Sequence, residues 1–244
     1  MSQIYARPPA VAAVIEIRTA ADVPADALRK VRVRLAKRLP VSEDLVNVSL
    51  SGVAGAPNMN VNQVPIGHRL VSGDGATTVL VRNNGLTVSR GAPYLGWEAL
   101  AAEFEASWKT WARVVGRKPI AQIGVRFTNR LDIPWDSPRV VEETDYLNVG
   151  TPKPPFDHGH YQSFFSIFET TITDEAFKLI LQVGVAEPQL VEHVALLLDI
   201  DVISRVDGSL SDTDLWERLG QMRLEKNRIF EACITDKARA LFNA

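Results

Sequence analysis

The chain has 244 residues, 46% hydrophobic and 23% charged, and its 27 basic and 29 acidic side chains leave a net charge of -2. These are the proportions of an ordinary globular protein and exclude a disordered, collagen-like or low-complexity chain; with near-neutrality, no nucleic-acid partner is expected without a local basic patch. No stretch approaches the roughly 20 apolar residues of a bilayer span, the start of the chain lacks the pattern of a secretory signal, and the single Cys233 excludes an internal disulfide, so a cytoplasmic protein with no membrane contact is expected.

Residues 11–18 (VAAVIEIR) read as a strand. Asp22 and Pro24 suit the cap and first turn of a helix to about Arg38, with Leu28, Val31, Leu35 and Leu39 as its apolar stripe and Pro40 as its stop. Residues 45–53 alternate as a second strand, and 54–65 have loop composition. Short strands are expected over 67–72, 77–82 and 86–90, separated by Gly73-Asp74-Gly75 and Asn83-Asn84-Gly85, whose residues accept tight hairpin turns. A long helix over 95–115 follows, carrying Trp97, Leu100, Phe104, Trp108 and Trp111 at helical spacing, and Gly116 ends it.

Residues 119–134 form the clearest strand. One face carries Ile123, Val125, Phe127, Asn129 and Leu131, and the other carries Arg126, Thr128, Arg130 and Asp132. A proline-rich connection over 135–158 holds at most one short strand near Tyr146. Strands over 163–173, 176–186 and 193–205 make a second meander, and a helix capped by Ser209 or Ser211 runs to about Ala232 on a stripe of Leu215, Leu219, Met222, Ile229 and Cys233. Thr235 caps a last short helix. The reading is α+β: antiparallel sheet with long amphipathic helices on one face, and a strand–meander–helix unit that occurs twice. Residues 1–118 and 119–244 are the two halves of one compact unit.

Four phrases occur together in this order: Pro8-Pro9 before the VIEIR strand, Tyr94-x-Gly-Trp97-Glu98 opening a helix, Arg126-Phe-Thr-Asn129-Arg130 with Ile133-Pro134, and Phe230-Glu231 with Ile234-Thr235. In these the chain resembles a sporadically distributed family of uncharacterised bacterial proteins of similar length. The resemblance covers nearly the whole chain and implies membership, with no catalytic residue to carry over. It departs from the pattern at Met222-Arg223-Leu224, where some relatives would have a His, which speaks against catalytic use of that helix.

Arg126 and Arg130 share one strand face about 13 Å apart. Glu169 sits mid-strand in the second meander, and Asp199 and Asp201 share one face of the last strand. If these strands are neighbours, the charges make either a solvated face of cross-strand ion pairs or a polar groove where the arginines receive an anionic ligand or a partner's carboxylates. Tyr94 and Trp97, at the start of the long helix, are candidates for a pocket rim, whereas Trp108 and Trp111 read as core. Asp199, Asp201 and Glu169 are also oxygen donors suited to a divalent cation, without the glycine-bearing loop of a calcium site. His158 and His160 have zinc-ligand spacing but lack an evident third ligand. Arg29, Lys30, Arg32, Arg34, Lys37 and Arg38 make the first helix basic without the interleaved aromatics of a single-strand binder.

No nucleophile elbow, Walker loop or dinucleotide fingerprint is present, so no cofactor is expected. The expectation is a non-enzymatic binding or regulatory protein for a protein, peptide or small anionic ligand, with Arg126, Arg130, Glu169, Asp199, Asp201, Tyr94 and Trp97 as binding residues and self-association through sheet edges. The alternatives are a metal-assisted hydrolase using His158, His160, Asp199, Asp201 or Glu169, and a carrier of an apolar ligand held between sheet and helix.

Overall fold

Alternation along the strands sets the architecture. The computed structural model describes residues 5–51, 60–135, 141–150, 155–156, 163–172, 177–207 and 210–243. The first half contributes β1 (Ala10–Thr19), α1 (Ala25–Leu35), β2 (Val41–Ser51), β3 (Asn60–Val71), β4 (Thr77–Arg82), β5 (Gly85–Gly91) and α2 (Trp97–Val115). The second contributes β6 (Ile120–Pro134), a 3-10 turn at Glu143–Asp145, β7 (Phe165–Ile172), β8 (Phe177–Ala186), β9 (His193–Arg205), α3 (Asp212–Cys233) and α4 (Asp236–Asn243). The nine strands form one antiparallel sheet in the order β2-β3-β4-β5-β1-β6-β9-β8-β7.

Register carries one apolar row across most of this sheet. Leu70 faces Val79, which faces Val88, then Ile15, Val125, Val202 and Leu179, strand by strand, and all seven are buried. A slip of one residue in any pair would send that strand's apolar set to the opposite face, so burial fixes the register. The helices cover this face: α1 packs on β3 and β4, α2 on β5 and β1, and α3 on β6 and β9. Leu28, Val31 and Leu35 of α1, Leu100, Phe104 and Trp111 of α2, and Leu215, Leu219 and Met222 of α3 are the stripes they bury. Each such side chain contributes about 2 kcal/mol by leaving water.

Local signals end the helices where expected, with small shifts. Pro24, rather than Asp22, takes the N-cap of α1, and the helix gives way to a turn after Leu35 rather than at Arg38. Gly116 closes α2. Of the two serines, Ser211 caps α3: its hydroxyl accepts from the Asp214 amide at 3.1 Å while the Asp214 carboxylate accepts from the Ser211 amide at 3.2 Å. Thr235 accepts from the Ala238 amide at 3.3 Å and caps α4.

Two expectations need correction. Residues 60–65 belong to β3 and pair with β2 rather than forming a loop. Near Tyr146 the chain makes the 3-10 turn, followed by an isolated bridge from Leu147 to Ile234, instead of a strand. The two halves join through β1 and β6 and share one hydrophobic cluster. In each half the first strand pairs with the last strand of the meander that follows, β1 with β5 and β6 with β9, and a long helix comes next. The first meander has four strands and the second three.

Candidate functional site

On the helix-free face, Arg126 and Asp201 are cross-strand neighbours, yet the guanidinium is committed to Asp199. Arg126 Nε donates to both Asp199 carboxylate oxygens, at 2.8 and 3.1 Å, and Thr128 donates to the same carboxylate at 2.6 Å. That bond raises the Arg126 pKa above its ordinary value and stabilises the guanidinium where it lies. The Asp201 carboxylate accepts no hydrogen bond among the described residues. Burial, reinforced by Asp199 and Glu16 and opposed by Arg126 and Arg18, pushes its pKa up to about 6.

Two further charges on this face, Arg130 and Glu169, are paired. Arg130, whose side chain is 9% exposed, donates to Asp132 at 2.8 Å and to the Glu187 carbonyl at 2.9 Å. Glu169 pairs with Lys178 at 2.6 Å and is separated from Asp199 and Asp201 by β8. Arg126, Asp199 and Asp201 therefore come together, while Arg130 and Glu169 are bonded elsewhere. The face is a ladder of ion pairs rather than a groove of waiting arginines.

No cluster of three or more His, Cys, Asp or Glu side chains suited to a metal occurs among the described residues. Asp157, His158 and His160 lie outside them. Cys233 is buried, and burial pushes its thiol up to about 11, which keeps it unreactive at neutral pH. In the basic helix, Arg29 is bonded to Asp26, Arg32 to Asp44 at 3.3 Å, and Arg38 to Ser107 at 3.0 Å and Glu103 at 3.2 Å.

Tyr94 and Trp97 lie on the covered side of the sheet, where they line a cavity of about 510 Å³. Its walls are the segment leading into β1, the start of α2, the middle of β6 and the second half of α3. Two backbone bonds hold the leading segment in place, Arg7 N–H to the Phe242 carbonyl at 2.8 Å and Arg130 N–H to the Pro9 carbonyl at 2.9 Å. Gly96 is the N-cap of α2 with φ at 99°, a left-handed conformation that favours glycine. This turn sets Tyr94 and Trp97 on either side of the helix start.

Five aromatic rings, those of Tyr5, Tyr94, Trp97, Phe127 and Phe230, line the cavity. Tyr94 meets Phe127 edge-on at 5.5 Å, and Tyr5 meets Phe230 edge-on at 6.2 Å. Asn129, buried on the floor, donates its amide to the Leu198 carbonyl at 3.1 Å. Residues of the four sequence phrases meet here: Pro8 and Pro9, Tyr94 to Glu98, Phe127 and Asn129, and Phe230 with Glu231.

The charges that line the cavity, Glu98 and Glu231 against Arg223 and Lys226, are equal in number but not paired one to one. Glu98 pairs with Arg223 at 3.1 Å, and the Arg223 guanidinium lies 5.4 Å from the Trp97 ring centre. Glu231 accepts from the Tyr5 hydroxyl at 2.9 Å and from Arg239 at 3.1 Å. Burial together with that carboxylate pushes the Tyr5 hydroxyl up to about 12, and burial likewise raises Tyr94.

Lys226 is left over. Its side chain is 9% exposed, and its ammonium sits 4.0 Å from the Phe127 ring centre with no hydrogen bond or ion pair among the described residues. Burial, then the neighbouring Arg223, outweigh Glu231 and pull its pKa down from 10.5 to about 8. The ring face stabilises a cation, but it cannot replace an anion or the water that an ammonium loses on burial.

Lys226 was not among the sequence candidates, although a signal existed. It stands four residues after Met222 and seven after Leu219, on the buried stripe of α3. A second cleft of about 1040 Å³ between α2 and the start of α3 is larger; it pairs Arg117 with Asp212 at 2.8 Å and Lys109 with Glu105 at 2.6 Å, and of its other cations Arg113 is exposed and Lys118 half-buried, so neither is a buried charge. The chain matches no family model and no curated protein.

Proposed function

We propose that this chain is a non-enzymatic binding protein whose cavity receives a small ligand with an anionic group and an aromatic or apolar body. The observation that carries this reading is Lys226: a nine-tenths buried cation without an anionic partner, on the wall of an aromatic cavity. Burying an ammonium without a counter-charge is costly, and a ligand carboxylate or phosphate would supply the missing partner. The size of the cavity falls within the range of small-molecule sites. The start of the 19-residue α2 at the rim adds a favourable partial positive charge. Residues from all four phrases that carry the resemblance to the bacterial family line this cavity, and the third phrase also supplies Arg126 and Arg130 to the charged face.

The test is calorimetric titration with benzoate and with benzamide, which share size and ring but differ in charge. Restoring Lys226 towards its ordinary pKa recovers up to about 3 kcal/mol, so benzoate should bind at least about tenfold more tightly. Lys226→Met should remove that difference. Equal affinity for the two compounds in the wild-type chain, or binding of neither, would refute the reading. A cytoplasmic location fits the single, buried Cys233, and none of the described helices is long and apolar enough to cross a membrane. Self-association through a sheet edge fits the exposed Phe165 and Ile167 of β7, and light scattering measures it directly.

A further inference from the structure

The cavity also places an amine where carbonyl compounds would meet it. We infer that Lys226 is a carbonyl-capturing lysine, forming a reversible imine with an aromatic aldehyde or ketone that carries an acidic group. The inference rests on the ligand reading of this cavity and deepens it by naming the ligand class.

Three observations carry it. Lys226 is the one lysine buried among the described residues, and its ammonium is engaged by a ring face rather than a carboxylate, so no ion pair must be broken to free the amine. The groups facing it are arranged to leave it unpaired. Glu231 on its own helix is bonded to Tyr5 and Arg239, and Glu98 at the start of α2 is bonded to Arg223. Arg223 adds like charge on the same helix, while Tyr94, Tyr5 and the β6 residues Phe127 and Asn129 bring no charge at neutral pH. With a pKa of about 8, roughly a quarter of the Lys226 side chains are neutral at about pH 7.5, against about one in a thousand for an ordinary lysine. Desolvation and a neighbouring cation are the usual means of activating a lysine nucleophile.

The chemistry balances without an oxidant or reductant. The Lys226 Nζ lone pair attacks the carbonyl carbon, a C–N bond forms as the C=O π bond opens, and the oxygen departs as water carrying the two amine protons. The product is a neutral imine; the ring of the captured compound lies among Tyr94, Trp97 and Phe230, and its acidic group stays within the same cavity.

The probe is 4-formylbenzoate, added to the intact chain at about pH 7.5 and fixed by borohydride, which reduces the imine to a stable secondary amine. Peptide mass spectrometry then locates the added carboxybenzyl group among the eight lysines of the sequence. The expected result is labelling of Lys226 about tenfold or more faster than any other lysine, slowed by excess benzoate and rising with pH to a midpoint near 8. Even labelling across the lysines, or labelling of Lys226 that benzoate does not slow, would overturn the inference. Because benzoate has no aldehyde or ketone group and cannot form an imine, its own titration is independent. Benzoate binding without selective labelling defeats only imine capture, whereas loss of benzoate binding defeats the ligand reading beneath it. The labelling is read on the wild-type chain, so no variant needs to fold for the outcome to count.

Discussion

Replacing Lys226 by Met should make the ligand-free protein more stable, against the usual direction of core substitutions. Lys226 has an ordinary pKa of 10.5 and sits at about 8 in the folded chain. At about 1.4 kcal/mol per pKa unit, holding the charged form in place costs the fold about 3 kcal/mol below pH 8. Methionine is unbranched, of similar length and free of charge, and its imperfect fit should give back about 1 kcal/mol. A net gain of about 2 kcal/mol is expected at pH 7. Between pH 8 and 10.5 the unfolded chain binds more protons at this side chain than the folded one, so wild-type stability rises with pH relative to the variant. The gain should therefore shrink to under about 1 kcal/mol by about pH 9.5. Urea denaturation of both proteins at the two pH values measures it, and the difference between them cancels the tyrosines, which titrate alike in both. A variant no more stable at pH 7, or a gain that does not fall with pH, would show that Lys226 is not a strained cation.

Three other substitutions probe the charged face and the caps. Asp201→Asn should stabilise the protein by about 2 kcal/mol at pH 7.5 and have little effect at about pH 4: a carboxyl raised from 3.8 to about 6 contributes stability below its unfolded value that is lost as pH rises through 6. Urea midpoints at the two pH values decide it, and an effect independent of pH would contradict the burial argument. Arg126→Ala should cost about 2 kcal/mol, because it leaves the buried Asp199 carboxylate with Thr128 as its remaining side-chain donor, and should leave benzoate affinity unchanged in calorimetry. Ser211→Ala removes the capping box of α3 and should lower stability by about 1 kcal/mol in thermal or urea unfolding, with no change in benzoate binding.

What was legible in the sequence follows burial. β6 announced both of its faces because one is pressed under α3 and the other faces water, and a two-residue period is the trace that such a strand leaves. The start of β3 left none. Val46 and Val48 of β2 and Val64 of β3 are exposed, as are most of their described neighbours, so this ribbon has no buried face to select alternation, and Asn-Gln-Val-Pro there reads as loop. The arginine pair was legible as a shared face, but its ion pairs depend on which strands are adjacent. β6 lies beside β9 and Glu169 lies beyond β8, which only the sheet order reveals. The cavity draws on four separated segments, and spacing within any one of them cannot announce their meeting. Tyr94 and Trp97 marked its rim because a Gly-started helix with two aromatics is a local pattern. Lys226 looked like a surface lysine because the stripe of α3 was read from its apolar members alone.

The two faces of the sheet handle charge in opposite ways. On the open face Arg126, Arg130 and Glu169 each meet an opposite charge on their own or a neighbouring strand, and water screens what remains, so an incoming anion would have to displace an existing partner. On the covered face both cavity carboxylates are held by arginines, and the one cation without a carboxylate is also the one that water reaches least. Apolar residues of similar length fit such a stripe position without this cost, as the Met222 one turn earlier illustrates. A stable fold has no use for an unpaired ammonium there, and a chain that nonetheless carries one retains stability it would gain by losing it. That is the pattern of a site held ready for a partner, in which strain in the empty state becomes affinity in the occupied one. The near-neutral total charge is silent on this. The open face contributes most of its charges in pairs, and the cation on which the proposed binding rests is a single lysine beneath the sheet.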